Sequence, residues 1–308
     1  PRNMLHIVGR HLMHCTKPWV ERMSAIDQSA DLQESTLDRE ELARIRNQRI
    51  AKIGKWALPL LVFVIVIGGW HWLVTAKEIP HYILPGPGLI AKTLWQDFPI
   101  LVGSWMVTLT VTGLALTLAV VFGGGLAILF TQSKWIEMSF FPYAVVLQVT
   151  PIVAIAPLIF IYVDSKIAGL LICAWIVAFF PVLSNTTLGL NSADHNLRDL
   201  FQVYGATRWQ KLRYLQLPAA LPYFLGGLRI AGGLSLIGAV VAEFVAGSGG
   251  IGSGLAFRIL ESSYRLNMPR MFAALSLIVI TGVAIYLILS YITWLLLRKW
   301  HDSAIKRD

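Results

Sequence analysis

Charge is scarce in this chain. Only 14% of its 308 residues are Asp, Glu, Lys or Arg, while 56% are hydrophobic and the mean hydropathy is +0.64. A soluble globular domain carries about 25% charged residues, so this balance excludes one. Cysteine is scarcer still. Cys15 and Cys173 are the two present, which excludes a disulfide scaffold and a cysteine-based zinc site, and Cys173 reads as a small apolar residue packed inside a membrane span. Recognisable catalytic patterns are missing as well. There is no H-E-x-x-H, no G-x-S-x-G and no G-x-x-x-x-G-K-[ST], so metalloprotease, serine hydrolase and P-loop chemistry have no residues to work with. Nor does a pair of membrane aspartates stand out, which leaves an intramembrane hydrolase without its acid and base. The early residues hold basic groups but no apolar stretch of signal-peptide length, so no cleaved signal is expected.

Long apolar runs are present instead. They lie at 56–75, 105–130, 142–163, 168–190, 225–246 and 271–297. Each is long enough at about 1.5 Å per residue to cross a hydrocarbon core of about 30 Å, which predicts an all-α bundle of six transmembrane helices. The tightest connection is Asp164-Ser165-Lys166, between the third and fourth runs. Lysine and arginine set the orientation. With the first residues cytoplasmic, that side collects nineteen of them and the other side six, leaving Arg229 at the edge of the fifth run. This asymmetry predicts a multi-pass protein of a cytoplasmic (inner) membrane with both ends cytoplasmic. Most of the net charge of +9 is then span-flanking charge that faces anionic lipid head groups, and no nucleic-acid partner is expected.

The exception to this greasy pattern is the polar stretch from Asp199 to Pro222. Leu197, Leu200, Phe201 and Tyr204 fall at i, i+3, i+4 and i+7, one apolar stripe on a short helix. Gly205 stops that helix. Thr207 and Gln210 then have capping-box spacing, so a second short helix is expected from Arg208 until Pro218 ends it. Helices this short are marginal alone in water, so the elbow requires a surface to pack against.

The same residues carry a family likeness. Asp199-Leu200-Phe201, Gly205-Ala206 and Leu217-Pro218 resemble the EAA loop of ATP-binding-cassette (ABC) importer permeases, with Asp for the usual Glu and with Leu and Phe where alanines usually sit. The runs LPAALPYFLGGLRIAGG (217–233), VVAEFVAGSGGIG (240–252) and TPIVAIAPLIFIY (150–162) are similar to the nitrate, sulfonate and taurine branch. The likeness covers about residues 83–297. It implies the type I importer permease (MetI-like) fold, with a cytoplasmic segment at 1–55, a permease domain at 56–297 containing a coupling loop at 191–221, and a tail at 298–308. It also implies a coupling surface built from Asp199, Leu200, Phe201, Tyr204, Gly205, Ala206, Arg208, Leu217 and Pro218. The implied partners are a second permease copy, two cytoplasmic ATPase subunits that carry ATP and Mg, and an extracytoplasmic solute-binding protein. This chain itself is expected to bind no cofactor and no metal and to have no enzymatic activity. The implied solute is a small anion, a sulfonate or a heteroaromatic compound. A secondary transporter or channel that works without ATP is the alternative.

Within the fifth run, Gly226, Gly227, Gly232, Gly233 and Gly238 favour close helix approach in lipid. Gly226, Gly232, Gly233 and Glu243 are the pathway or gate candidates. Gly123, Gly124 and Gly125 read as packing or a kink. Asn185, Thr186 and Thr187 are expected to bond across helices. Arg229 is expected to snorkel to the membrane interface or brace the elbow. Gly247 to Gly252 matches G-x-G-x-x-G, but a membrane span precedes it where a strand is needed, so it reads as an outer loop. Residues 36–55, acidic early and basic late, predict an interfacial helix, and Leu89 to Phe98 a short outer one.

Overall fold

The computed structural model describes residues 54, 55, 57–247 and 252–298. All but the last two residues of the expected helix at 36–55, Cys15, most of the 247–252 loop and nearly all of the tail lie outside the described residues. Two compact units divide the chain, residues 1–72 and 73–308. Most of α1 (Ala57–Ala76) falls in the first, and its Leu58, Leu60 to Val66 and Trp72 side chains are exposed, a surface suited to hydrocarbon.

The second unit is a helical bundle. A loop rich in proline leads into α2 (Pro87–Gln96), and Asp97 separates it from α3 (Phe98–Leu118). A π-helical turn at Ala119–Gly123 then joins α3 to α4 (Gly124–Gln132), giving a rod of 35 residues. Of the three glycines here, Gly123 packs directly on α7. A Cβ there would stand 3.2 Å from the Leu183 amide and the Phe179 carbonyl.

The expected third span is broken. α5 (Lys134–Val149) and α6 (Ile152–Tyr162) meet at 101°, so the described residues contain five long apolar helices and one bent pair where six straight spans were expected. Thr150-Pro151 is the cause. Proline denies the ladder an amide, and the residue before it is pushed into extended backbone, here φ −74°, ψ 122°. Thr150 offsets part of the loss, because its amide and its hydroxyl both donate to the Val146 carbonyl, at 3.1 and 2.6 Å.

α7 (Lys166–Asn191) is the central element. Ser165 caps its start by accepting from the Ala168 amide at 3.4 Å, which makes the tight 164–166 connection workable. Leu170, Cys173, Ala174, Ala178, Val182 and Leu183 are fully buried along it. Its principal neighbour is α10 (Leu217–Ala246), and glycine sets how closely the two approach. A Cβ at Gly227 would stand 2.7 Å from Asn185 Cβ and 2.8 Å from the Pro181 carbonyl. One at Gly238 would stand 2.9 Å from Ala174 Cα, and one at Gly189 2.7 Å from Tyr223 Cβ. Dispersion between closely approaching backbones holds helices together where lipid removes the hydrophobic drive. The Asn185 and Thr187 side chains do not reach across helices as expected. They bond within α7, to the Pro181 and Leu183 carbonyls, each at 2.8 Å.

Past α7 the chain forms α8 (His195–Val203), α9 (Arg208–Lys211), a second π-helical turn at Leu212–Gln216, and then α10. Pro218 does not end the helix that starts at Arg208. The Leu217 amide donates to the Leu212 carbonyl, five residues back, so the widened turn shifts the ladder just where proline has no amide to offer. The result is one apolar helical run from Arg208 to Ala246, 39 residues long. α11 (Leu255–Tyr264) and α12 (Met268–Leu297) complete the unit. Arg270, in the first turn of α12, donates from Nε to Asp97 Oδ2 at 2.6 Å and so ties α12 to the α2–α3 junction.

Candidate functional site

The elbow is built locally. Asp194 caps α8 by accepting from the Asn196 amide at 2.7 Å. Gly205 then takes φ +64°, a left-handed conformation that a β-branched residue adopts only at a cost. The predicted capping box forms at the next helix. The Thr207 amide donates to Gln210 Oε1 at 2.8 Å, and the Gln210 amide donates to Thr207 Oγ1 at 3.3 Å. Together these features reverse the chain within four residues.

The reversal gathers most of the sequence-predicted coupling residues. Leu200, Phe201, Tyr204, Gly205 and Ala206 line one hollow with Tyr214, of about 430 Å³. Asp199 and Arg208 are exposed at its edges. Leu217 and Pro218 are not part of this hollow, since they begin α10 one π turn further along. Around the hollow, Val203, Tyr204, Trp209 and Tyr214 are between 65 and 83% exposed. A cluster of exposed aromatic and branched side chains on a polar elbow is characteristic of a protein contact surface.

The pathway candidates separate by environment. Gly232 packs against α12, where a Cβ would overlap Leu289 Cδ1. Gly226 and Gly233 have open space beside them. They share a face with Tyr223, Ile230, Ile237 and Phe244, all exposed, and this spacing of threes and fours marks one continuous stripe along α10. Arg229 turns toward α12. Its guanidinium lies 5.8 Å from the centre of the Tyr286 ring on α12, within range of a cation–π contact.

Glu243 sits elsewhere, at the far end of α10 and 2% exposed. Thr108 of α3 donates its hydroxyl to Glu243 Oε1 at 2.8 Å, and the Ala256 amide donates to Oε2 at 2.9 Å. Thr108 Oγ1 in turn accepts from the Leu255 amide at 2.9 Å. The carboxylate therefore caps the N-terminus of α11, where amides without helical partners and the positive end of the helix dipole favour a negative charge. Gly254 makes this possible, because a Cβ at that position would overlap the carboxylate. Sequence reasoning missed Thr108, Gly254 and Ala256. The one available signal was Gly254, lying just past the glycine run already read as a loop. Nearby, Arg258 donates from Nε to Ser104 Oγ at 2.9 Å, and Lys166 Nζ lies 3.5 Å from Ser253 Oγ.

An all-helical, multi-pass bundle with an exposed polar elbow at one end and a capped short helix at the other is the architecture of a membrane transport permease. Residues 115–301 match the family model described as "Binding-protein-dependent transport system inner membrane component", and the chain belongs to this family of ABC transporter permeases. It is 31% identical over 263 residues to a riboflavin transport system permease protein of Chloroflexus aurantiacus, covering 84% of this chain and 96% of the relative. A probable ABC transporter permease of Haemophilus influenzae is 32% identical over 240 residues, covering 78% and 95%. A formylaminopyrimidine transport permease of Halalkalibacterium halodurans is 29% identical over 227 residues, covering 73% and 88%. Nitrate, aliphatic sulfonate and taurine permeases are also similar to it. Among solved structures, an amino acid ABC transporter crystallised with histidines shares the fold, with a TM-score of 0.54 and 21% identity over 65% of this chain and 96% of that one.

Proposed function

We propose that this chain forms the translocation pathway of an ATP-driven importer and couples to separate ATPase subunits through the elbow at residues 195–211. The observation that carries the reading is mechanical. Gln210 and Tyr214, on one wall of the hollow, belong to the 39-residue helical run that starts at Arg208 and continues through the second π turn into α10. Force applied to that wall of the elbow thus reaches the span along continuous helix.

In this reading two cytoplasmic ATPase subunits, which hold ATP and Mg, each seat one elbow. A second copy of the chain faces the Tyr223–Phe244 stripe of α10, and the open flanks of Gly226 and Gly233 let two such stripes approach and separate. Both ends of the chain are cytoplasmic, and a soluble binding protein delivers solute from the other side. Closure of the ATPase pair favours one of two bundle states, which is alternating access by differential stabilisation. The solute is a small anion, a sulfonate or a heteroaromatic compound, classes represented among the names of the relatives.

Gly205→Val tests the coupling. No side chain crowds Gly205, so the variant perturbs only the left-handed backbone, by about 1–2 kcal/mol. The expected result is normal membrane insertion with loss of solute-stimulated ATPase activity in the purified complex. Normal coupling in that variant would refute the reading. So would uptake that follows an ion gradient in the absence of any ATPase, which is the behaviour of a secondary transporter.

A further inference from the structure

A second hollow, of about 420 Å³, opens where α4 splays from α10 below the first π turn. Val121, Gly124 and Gly125 form one wall, Leu217 and Phe224 the other, and Thr186 of α7 part of the floor. It lies away from the Tyr223–Phe244 stripe. Phe224 and Gly226 are two residues apart, about 200° around the helix. The groove therefore occupies the opposite side of α10 from the face assigned to the pathway.

Its chemistry is almost uniform. The lining is aliphatic or aromatic except for Thr186, which is 6% exposed and whose Oγ1 finds no hydrogen-bond partner among the described residues. Gly124 and Gly125 present bare backbone, with nothing within 4 Å of a Cβ built on either. From Leu217 to Phe224 the groove runs about 10 Å along α10, most of the ~15 Å depth of one leaflet. At its elbow end the surface becomes basic. Arg213 stands exposed one turn before Leu217, with Lys211 and Arg208 just ahead of it.

We propose that this groove is a binding site for an anionic phospholipid of the leaflet on the elbow side. One acyl chain lies along Gly124, Gly125 and Phe224, and the phosphate is held at Arg213. An apolar slot supplies no specificity by itself. The basic residue at its mouth does, by selecting a negative headgroup over a zwitterionic one. The proposal does not depend on the transport reading, because lipid retention is measured without solute or ATP.

The test is native mass spectrometry of the full chain released from detergent after exchange with mixtures of phosphatidylglycerol and phosphatidylcholine. The wild type is expected to retain phosphatidylglycerol with about fivefold preference, the contribution of one basic residue at such a surface. Gly125→Phe, whose Cβ meets nothing within 4 Å, should fill the slot and abolish that retention, and Gly125→Leu should reduce it. Arg213→Gln should keep a bound lipid but lose the preference. Unchanged retention in both Gly125 variants would overturn the proposal, and so would unchanged preference in Arg213→Gln. Inorganic phosphate that competes as well as phosphatidylglycerol would show a headgroup-only site and would also overturn it. Displacement by a sulfonate or heteroaromatic solute at equal concentration would reassign the groove to solute.

Discussion

Gly254→Ala is a one-carbon change whose effect follows from the cap on α11. The added Cβ would occupy the space of the Glu243 carboxylate, so either the helix start or the carboxylate has to move. If Glu243 leaves, it gives up its bonds from Thr108 at 2.8 Å and from the Ala256 amide at 2.9 Å. Hydrogen bonds to a charged group contribute about 1.5–3 kcal/mol each, and a buried charge without partners is penalised further. The expected destabilisation is therefore about 3–5 kcal/mol, well above the ~1 kcal/mol typical of a point substitution. Thermal unfolding in detergent, followed by tryptophan fluorescence, should show a midpoint several degrees lower than wild type. Glu243→Ala should cost a similar amount, because it orphans the same donors. The double variant Glu243→Ala, Gly254→Ala should cost much less than the sum, since the carboxylate that clashes is gone. A Gly254→Ala protein with a wild-type midpoint, or a double variant whose costs simply add, would refute the assignment of the carboxylate as the cap.

Two further outcomes follow from packing. Gly227→Leu should disrupt folding or insertion far more than Gly226→Leu, since only the former meets Asn185 and the Pro181 carbonyl; yields of folded protein on size-exclusion chromatography measure the difference. Arg270→Gln should destabilise the unit by about 1–3 kcal/mol by leaving Asp97 half-buried without its cation, and Asp97→Asn combined with it should cost little more, as read in the same unfolding assay.

The parts of this architecture visible in the sequence are those that depend on nearby residues. Span positions follow from local hydropathy, and the capping box at Thr207 and Gln210 and the turn at Gly205 from spacing within a few residues. What escaped is long-range or depends on register. Pro218 reads as a stop because one missing amide ordinarily ends a helix, yet a π turn just before it absorbs the loss. The 101° break at Thr150-Pro151 lies inside a run that carries no Asp, Glu, Lys or Arg, so the dip at Gln148 to Pro151 is averaged away over a span-length window. Thr108 and Glu243 are 135 residues apart, and no pattern within either segment announces the other. The elbow hollow was legible because its residues come from one stretch, whereas the lipid groove draws on three separate helices.

The unbroken run from Arg208 to Ala246 measures about 58 Å at 1.5 Å per residue, nearly twice the hydrocarbon it crosses. That beam lies against α7 along a seam from Tyr223 to Gly238, about 22 Å long, and overhangs it at both ends. At one overhang the run begins at α9 beside the Tyr204–Thr207 turn, and at the other Glu243 clasps α11 through the Ala256 amide, so a single helix joins the two features.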